Sequence, residues 1–376
     1  MNVNHVLTGI RVLDFGRVLS APYGTLALAD LGADVVKVEH PQNGDDTRTF
    51  GPPFVNDISS YFLSINRGKR SITIDLKNEE AREKLKTLIP VTDVFVENFR
   101  PGFMDKIGLG ADDILSINPR IIYCSLTGFG KGDPRPGYDL MVQGLSGIPS
   151  ITGPQNGEPF KCGASIADLV AGMNLTQSIL AALFRRERTG EGAVIDVSML
   201  DGQLSLLTYH ASAYLNAGAE PKRMGNGHPS IHPFKPYKTK DGYLNICVGN
   251  DRIFGRFVAA LNHPLWGKED RFATNPQRVT NREALDAFVR PLILARSSEE
   301  WQSIFDRFLV PVGSVLDVPQ ALKNAKTVTH EHPSSKAQIH SLVLPYQIDS
   351  LPRAAGRRAP RLGEHNSEVW EDWLND

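Results

Sequence analysis

Over about the first 125 residues, short apolar runs alternate with mixed polar stretches at the spacing of a repeated strand–helix unit. "IRVLDF" (10–15), "DVVKVE" (34–39), "SITIDL" (71–76), "DVFVEN" (93–98) and "RIIYCSLTG" (120–128) read as strands. Between them, "APYGTLALADLG" predicts a helix ended by Gly32, "NEEAREKLKTLI" a charge-laced helix, and 103–116 a third. Short apolar strands separated by helices predict an α/β fold with a parallel, doubly wound sheet. Such sheets bind ligands beyond the carboxyl ends of their strands. That is where "FGRVLSAP", "HPQNGDDTR", "ENFRPG" and "LTGFGKGDPRPGYD" fall.

Asp168, in "SIADLVAGMN", heads a stretch that is apolar on nearly every face up to Phe184, which predicts a buried helix. The simplest reading of a lone acid there is an N-cap. "RRERTGEG" stops the helix, "AVIDVSM" (193–199) predicts one more strand, and 199–216 a further helix. From about residue 220 the texture changes to clustered Gly, Pro and His, followed by a hairpin turning at "KDG". Helices are expected near 251–262, 282–295 and 298–308, the last opened by a Ser297–Glu300 capping box. The expected organisation is a large domain over 1–200, a linker helix over 201–224, a smaller α+β domain over 225–325, and a return segment over 326–376.

The length of 376 residues suits two domains, and 41% hydrophobic with 22% charged residues is ordinary for a soluble chain. A net charge of −1 gives no electrostatic case for nucleic acid or an anionic membrane as partner. Cys124, Cys162 and Cys247 form no CxxC, so neither a disulfide framework nor a zinc site is expected. No basic, apolar leader opens the chain and its apolar runs are too short to span a bilayer, so a cytoplasmic protein is expected.

Familiar catalytic patterns do not fit. The loop after the first strand, Gly16 to Pro22, has one glycine where a dinucleotide site needs several. His228 and His232 are separated by Pro229, which breaks the helix that would align them on a metal, and no GxSxG is present. What remains is a carboxylate at a helix start and scattered cations near strand ends.

"LTGIRVLDFGRVLSAPYGTLALADLGADVVKVEHP", "NGDDTR", "NRGKRSITIDLK", "VFVENFRPGFMDKIGLG", "GYDLMVQGLSGI" and "SIADLVAGMN…TGEGAVIDVSMLD" together resemble the family III CoA-transferases, in order and from end to end. That family includes formyl-CoA transferase, carnitine CoA-transferases and alpha-methylacyl-CoA racemase. "GDDTRTFGPPF" looks most like its dicarboxylate branch, of the succinate–hydroxymethylglutarate type. The resemblance implies a Rossmann-like large domain, a small α+β domain, and two chains interlocked as a homodimer.

It also implies a nucleophile at Asp168, attacking an acyl-CoA thioester to form a mixed anhydride and then an aspartyl-CoA thioester. The substrates would be an acyl-CoA and a small carboxylic acid, with coenzyme A as substrate and no tightly bound cofactor. A helix N-terminus is expected to favour the ionised, nucleophilic carboxylate. By resemblance the nucleotide of CoA lies against Ile74, Lys77, Asn98, Phe99, Arg100 and Lys106. Leu19 and Ser20 fall where formyl-CoA transferase has a glutamine near substrate. Tyr138 replaces the histidine of the racemase branch, and a phenol suits a hydrogen-bond donor better than a base at neutral pH. Asp139 orients neighbouring groups or caps a helix. Gly227 and His228 lie in a glycine-rich loop, "GNGHPS", over the nucleophile, with Arg48 and Arg17 as further candidates for the acid's free carboxylate. The alternatives are a racemase and a non-catalytic CoA-binding protein of the same fold.

Overall fold

The computed structural model describes residues 5–345, 347–348 and 356–375. Among them, a six-stranded sheet is built from Arg11–Phe15 (β1), Asp34–Glu39 (β2), Arg70–Thr73 (β3), Val94–Glu97 (β4), Ile122–Thr127 (β5) and Ala193–Ser198 (β6). Every pairing is parallel and the order is β3-β2-β1-β4-β5-β6. The strand order turns back on itself between β1 and β4, which makes the crevice beyond their carboxyl ends the place for a ligand.

Period-two alternation sends the strand residues to two separate cores. Val12, Val35 and Val94 join the first core with helices Ser20–Asp30 (α1) and Ile166–Thr189, while Leu13, Val36 and Phe95 join the second. In the second core Leu85 of Glu79–Lys86 (α2) and Ile114 of Ala111–Ile117 (α3) are buried. Phe15, Phe95 and Tyr123 stack across three strands at 4.5 and 5.0 Å between centroids. The return segment completes this face: Val369 and Trp373 of its helix Glu368–Asn375 lie in the same core.

The chain divides into two compact units. One holds the chain up to Ile148, Lys161–Gly218 and the chain from Lys326; the other holds Pro149–Phe160 and Ala219–Ala325. The excursion of 149–160 into the second unit was not expected. It is tied there by backbone and side-chain bonds from Gly225 to Gly153 (3.1 Å) and from Arg223 to Pro154 and Gly157 (3.3 and 3.0 Å). The second unit has an antiparallel sheet of Phe234–Lys238, Tyr243–Cys247 and Val312–Ser314. Helices Asp251–Ala260, Arg282–Leu294 and Ser298–Arg307 cover it, and the expected capping box at Ser297 and Glu300 is formed.

Four readings of the pattern need correction. The helix expected at 199–216 is two, Met199–Ser205 and Thr208–Ala217, and the one at 103–116 is broken into Phe103–Lys106 and α3 with Gly108 at φ +70° between them. Ile166–Thr189 is not buried all round: Ala167, Ala171, Leu175, Ile179 and Leu183 form one buried stripe, while Met173 and Phe184 are 46% and 66% exposed. By length and composition alone this 24-residue helix is long enough to cross a membrane, contrary to the reading of its apolar runs as too short. Its buried stripe packs in the first core of the sheet.

That helix, designated α5 (Asp139–Leu145 being α4), meets α1 at a backbone-close crossing. A Cβ on Gly24 would lie 2.7 Å from the Gly172 carbonyl oxygen, and one on Gly172 would lie 2.5 Å from the Ser20 carbonyl oxygen. Only glycine fits on either side. The Thr176 hydroxyl locks the contact by donating to the Gly24 and Gly172 carbonyls, each at 3.0 Å.

A buried charge network sits beneath the turn that precedes α1. Lys69 pairs with Asp14 at 3.0 Å and Lys37 with Asp45 at 2.8 Å, all four side chains being buried. Asp14 accepts the Gly16 N–H at 2.8 Å, and Lys37 donates to the Gly16 carbonyl at 2.6 Å. Asp45 receives the Val18 N–H at 3.3 Å, holding Val18 at φ +64°, a conformation a β-branched residue rarely adopts. Burial pushes the Asp45 carboxyl up, but the Lys37 ammonium and bonds from Lys37 and Thr47 outweigh it and bring the group down to about 2. For Lys69 burial wins over Asp14 and lowers the ammonium to about 8.

Two outcomes follow from these contacts. Gly172→Ala forces α1 and α5 apart and costs about 1–3 kcal/mol in urea unfolding, with a parallel fall in turnover; an unchanged urea midpoint contradicts the tight crossing. Asp45 is depressed in the folded state, so its stabilisation is complete above its unfolded value of about 4 and is lost as pH falls toward 2. The urea midpoint therefore falls over that window, and Asp45→Asn gives a lower starting midpoint with a shallower decline.

Candidate active site

Asp168 lies in the first turn of α5, three residues after the N-cap position, which Ser165 occupies without a side-chain cap bond. It is therefore not the cap. Its half-buried carboxylate opens into a cavity of about 380 Å³ at the switch point, lined by the turns after β1, β4 and β5. No ion pair reaches it among the described residues. The Ser20 hydroxyl, at the start of α1, lines the same cavity and favours the charged form of Asp168. Burial and, next, the neighbouring anion Asp139 push the Asp168 carboxyl up to about 7, Ser20 pulling the other way. A helix N-terminus is expected to favour the ionised carboxylate; desolvation and a like charge act against that here.

Asp139 caps the start of α5 from outside. Its Oδ1 accepts the Ala167 N–H at 3.0 Å and its Oδ2 accepts from the Gln143 amide at 2.8 Å. Tyr138 precedes it, is 66% exposed, and lines the same cavity. Sequence reasoning missed Tyr61, whose phenol is raised to about 12 by burial and then by Asp168, Asp139 and Asp45. Nothing in the local pattern singles Tyr61 out, because it comes from the helix Ser60–Asn66, remote in sequence from Asp168.

The turns after β1 and β4 are bound to each other. Asn98 accepts the Arg17 N–H at 2.8 Å and donates to the Arg17 carbonyl at 2.9 Å, so its amide clamps the turn as well as lining the cavity. Glu97, at the end of β4, receives the Phe99 N–H at 2.8 Å, and burial raises its carboxyl to about 7 against the bonds from Ser125 and Phe99. Phe99 stacks on Phe103 at 4.8 Å, and Arg100 lines the cavity beside them.

A second cavity of about 290 Å³ lies beyond the ends of β2 and β3. Ile74 and Lys77 line it, and Arg17, Asp46, Phe99 and Phe103 border both cavities, so the two form one groove leading away from Asp168. Arg17 pairs with Asp46 at 2.7 Å across that junction, both side chains about half exposed.

Of the expected site residues, Ser20, Asn98, Phe99, Arg100, Tyr138, Asp139 and Asp168 line one cavity, and Ile74 and Lys77 line its continuation. Leu19 does not; it is buried to 9% exposure at the N-cap of α1. Lys106 is exposed and borders neither cavity. Arg48 is not free to take a substrate carboxylate, since Glu39 holds its guanidinium at 2.6 and 2.7 Å and Phe62 stacks on it at 3.8 Å. Gly227 and His228 belong to the second unit, where the His228 ring meets Phe234 edge-on at 5.5 Å and Arg282 binds the His228 and Pro229 carbonyls.

Comparison with known proteins agrees along the whole chain. A family model described as CoA-transferase family III matches residues 7–366. The chain is 38% identical over 384 residues to the succinyl-CoA:glutarate CoA-transferase of Homo sapiens, covering 100% of this chain and 87% of that protein. It is 41% identical over 323 residues to the acetyl-CoA:oxalate CoA-transferase of Acetobacter aceti, covering 85% of this chain and 83% of that one. The crystal structure of a CAIB/BAIF family protein from Brucella suis matches with a TM-score of 0.85 at 38% identity, over 98% of this chain and 100% of that chain. An α/β chain with this groove and a match from one end to the other belongs to CoA-transferase family III.

Proposed function

We propose that this CoA-transferase moves CoA from succinyl-CoA, or another dicarboxylyl-CoA, to a free carboxylic acid, with Asp168 as the nucleophile. The observation that carries the reading is a half-buried carboxylate, unpaired by any cation among the described residues, in a cavity of about 380 Å³ that adjoins a second of about 290 Å³. The name of the human relative, succinyl-CoA:glutarate CoA-transferase, supports the dicarboxylate class.

The Asp168 carboxylate attacks the thioester carbonyl, and the carbon–sulfur bond breaks to release CoA thiolate and leave a mixed anhydride. The thiolate attacks the aspartyl carbonyl, expels the first acid, and forms the aspartyl-CoA thioester. A second acid attacks that thioester, breaking its carbon–sulfur bond to expel CoA thiolate and form a second anhydride; the thiolate then attacks the acceptor's carbonyl, and Asp168 leaves as the carboxylate with the bridging oxygen. A carboxylate suits this cycle because its anhydride stays reactive enough for thiolate to attack again. Asn98, Phe99 and Arg100 would bind CoA near the thioester, and Ile74 and Lys77 its nucleotide along the groove. Ser20 and Tyr138 would donate hydrogen bonds at the reacting carbonyl. The apolar side chains left uncovered on Thr208–Ala217, such as Tyr214 and Leu215, support association with a second copy.

Incubation with succinyl-CoA and glutarate should give glutaryl-CoA and succinate, followed by mass spectrometry. Hydroxylamine added during turnover should convert Asp168 to a hydroxamate on its peptide, and Asp168→Asn should abolish both results. Because the ionised carboxylate attacks, kcat/KM should fall as pH drops below about 7. No adduct and no exchange over a broad set of acyl-CoAs would leave a binding protein; deuterium entering the α-carbon without acid exchange would select the racemase.

A further inference from the structure

The first turn of α5 is supported by a strap from outside the helix. Asp139 accepts the N–H of Ala167, the residue directly before Asp168, at 3.0 Å, while Gln143, one turn along α4, donates to Asp139 at 2.8 Å. The other end of the Gln143 amide accepts the Cys162 N–H at 2.8 Å, so the chain entering α5 is held at two points by α4. Gln143 is fully buried, and Gln203 secures the Ile166 carbonyl at 3.2 Å. A neutral side chain could cap Ala167 equally well. An anion is used instead, beside another anion.

We propose that Asp139 is a positioning residue that fixes the Asp168 carboxylate and, as a second negative charge beside it, makes the mixed anhydride collapse toward the aspartyl-CoA thioester. The inference rests on Asp168 being the nucleophile. CoA thiolate can attack either carbonyl of the anhydride. Attack on the substrate carbonyl breaks its bond to the bridging oxygen, and the Asp168 carboxylate leaves with the electron pair. Attack on the aspartyl carbonyl breaks the other bond, and the free acid leaves with that oxygen and the electron pair. The less basic carboxylate leaves more readily. Charge on Asp139 makes the Asp168 carboxylate the more basic of the two, so the substrate acid departs and CoA stays on the enzyme. Ser20, which favours the charged form of Asp168, acts in the opposite sense.

The groups around Asp168 are Asp139 of α4, Ser20 of α1 and Tyr61 of the helix Ser60–Asn66; Arg17, Asp46, Arg100, Arg135 and Tyr138 share its cavity. Asp139→Asn keeps an oxygen to accept the Ala167 N–H but loses the charge and the acceptor that Gln143 uses, whereas Asp139→Ala removes all three. The acid limb of kcat/KM should move to lower pH by on the order of one unit in D139N and to higher pH in Ser20→Ala. With succinyl-CoA alone, the share of enzyme carrying the mass of CoA should fall severalfold in D139N. The melting temperature should drop in D139A and be partly restored in D139N, which keeps the Ala167 bond and loses the Gln143 one; if D139N does not accumulate as folded protein, Asp139→Ser is read in the same way. An unmoved acid limb, or a CoA adduct equal to that of the wild type, overturns the proposal. Asp168→Asn, run alongside, separates the two ideas: turnover surviving in D168N would overturn the nucleophile itself, whatever D139N shows.

Discussion

The site depends on the close crossing of α1 and α5 at Gly24 and Gly172, where backbone meets backbone without room for a Cβ on either side. Ser20 begins one helix and Asp168 lies in the first turn of the other, four residues before each glycine. Because both stand one turn from the contact, the distance between the helix axes sets how the hydroxyl and the carboxylate face the shared cavity. Thr176 bonds both glycine carbonyls and makes that distance a property of the fold.

Anions and cations share the cavity, yet no cation pairs with Asp168 among the described residues. Around Asp168 stand Asp139 and two phenols, with no ion pair to it among the described residues, so its carboxylate stays basic and available. Arg17 and Arg100 line the same cavity from the turns after β1 and β4, and Lys77 lines the adjoining one from the turn after β3. Beneath them, Asp14, Lys37, Asp45 and Lys69 are buried and spend their charges on one another and on the backbone of Gly16 and Val18. Buried ion pairs contribute little net stability, but they hold a turn with a valine at positive φ where an apolar core would release it.

The strands of the large sheet are legible in the sequence because they are short, apolar and β-branched, and the site follows from where their carboxyl ends converge. Asp168 is legible as one acid in an apolar run, and the family motif gives it a role. Its acidity is not, because Asp139 approaches from another helix and no local pattern records that. Asn98 illustrates the same limit: its motif is visible, but its bonds to Arg17 come from a turn 81 residues away. Leu19 and Arg48 look available on paper, yet one is packed in the core and the other is held by Glu39. The two-sided exposure of α5 escapes an apolar pattern, since hydropathy does not say which face meets the sheet.

If Asp168 carries the acyl group as an anhydride, one oxygen of the acceptor acid must remain on the aspartate in each cycle. Turnover of succinyl-CoA with an acceptor labelled in both carboxylate oxygens by oxygen-18, followed by mass spectrometry of the peptide containing Asp168, reads this directly. The account predicts heavy oxygen in the Asp168 carboxylate, rising with the number of turnovers. Full transfer of CoA with an unlabelled aspartate would contradict it.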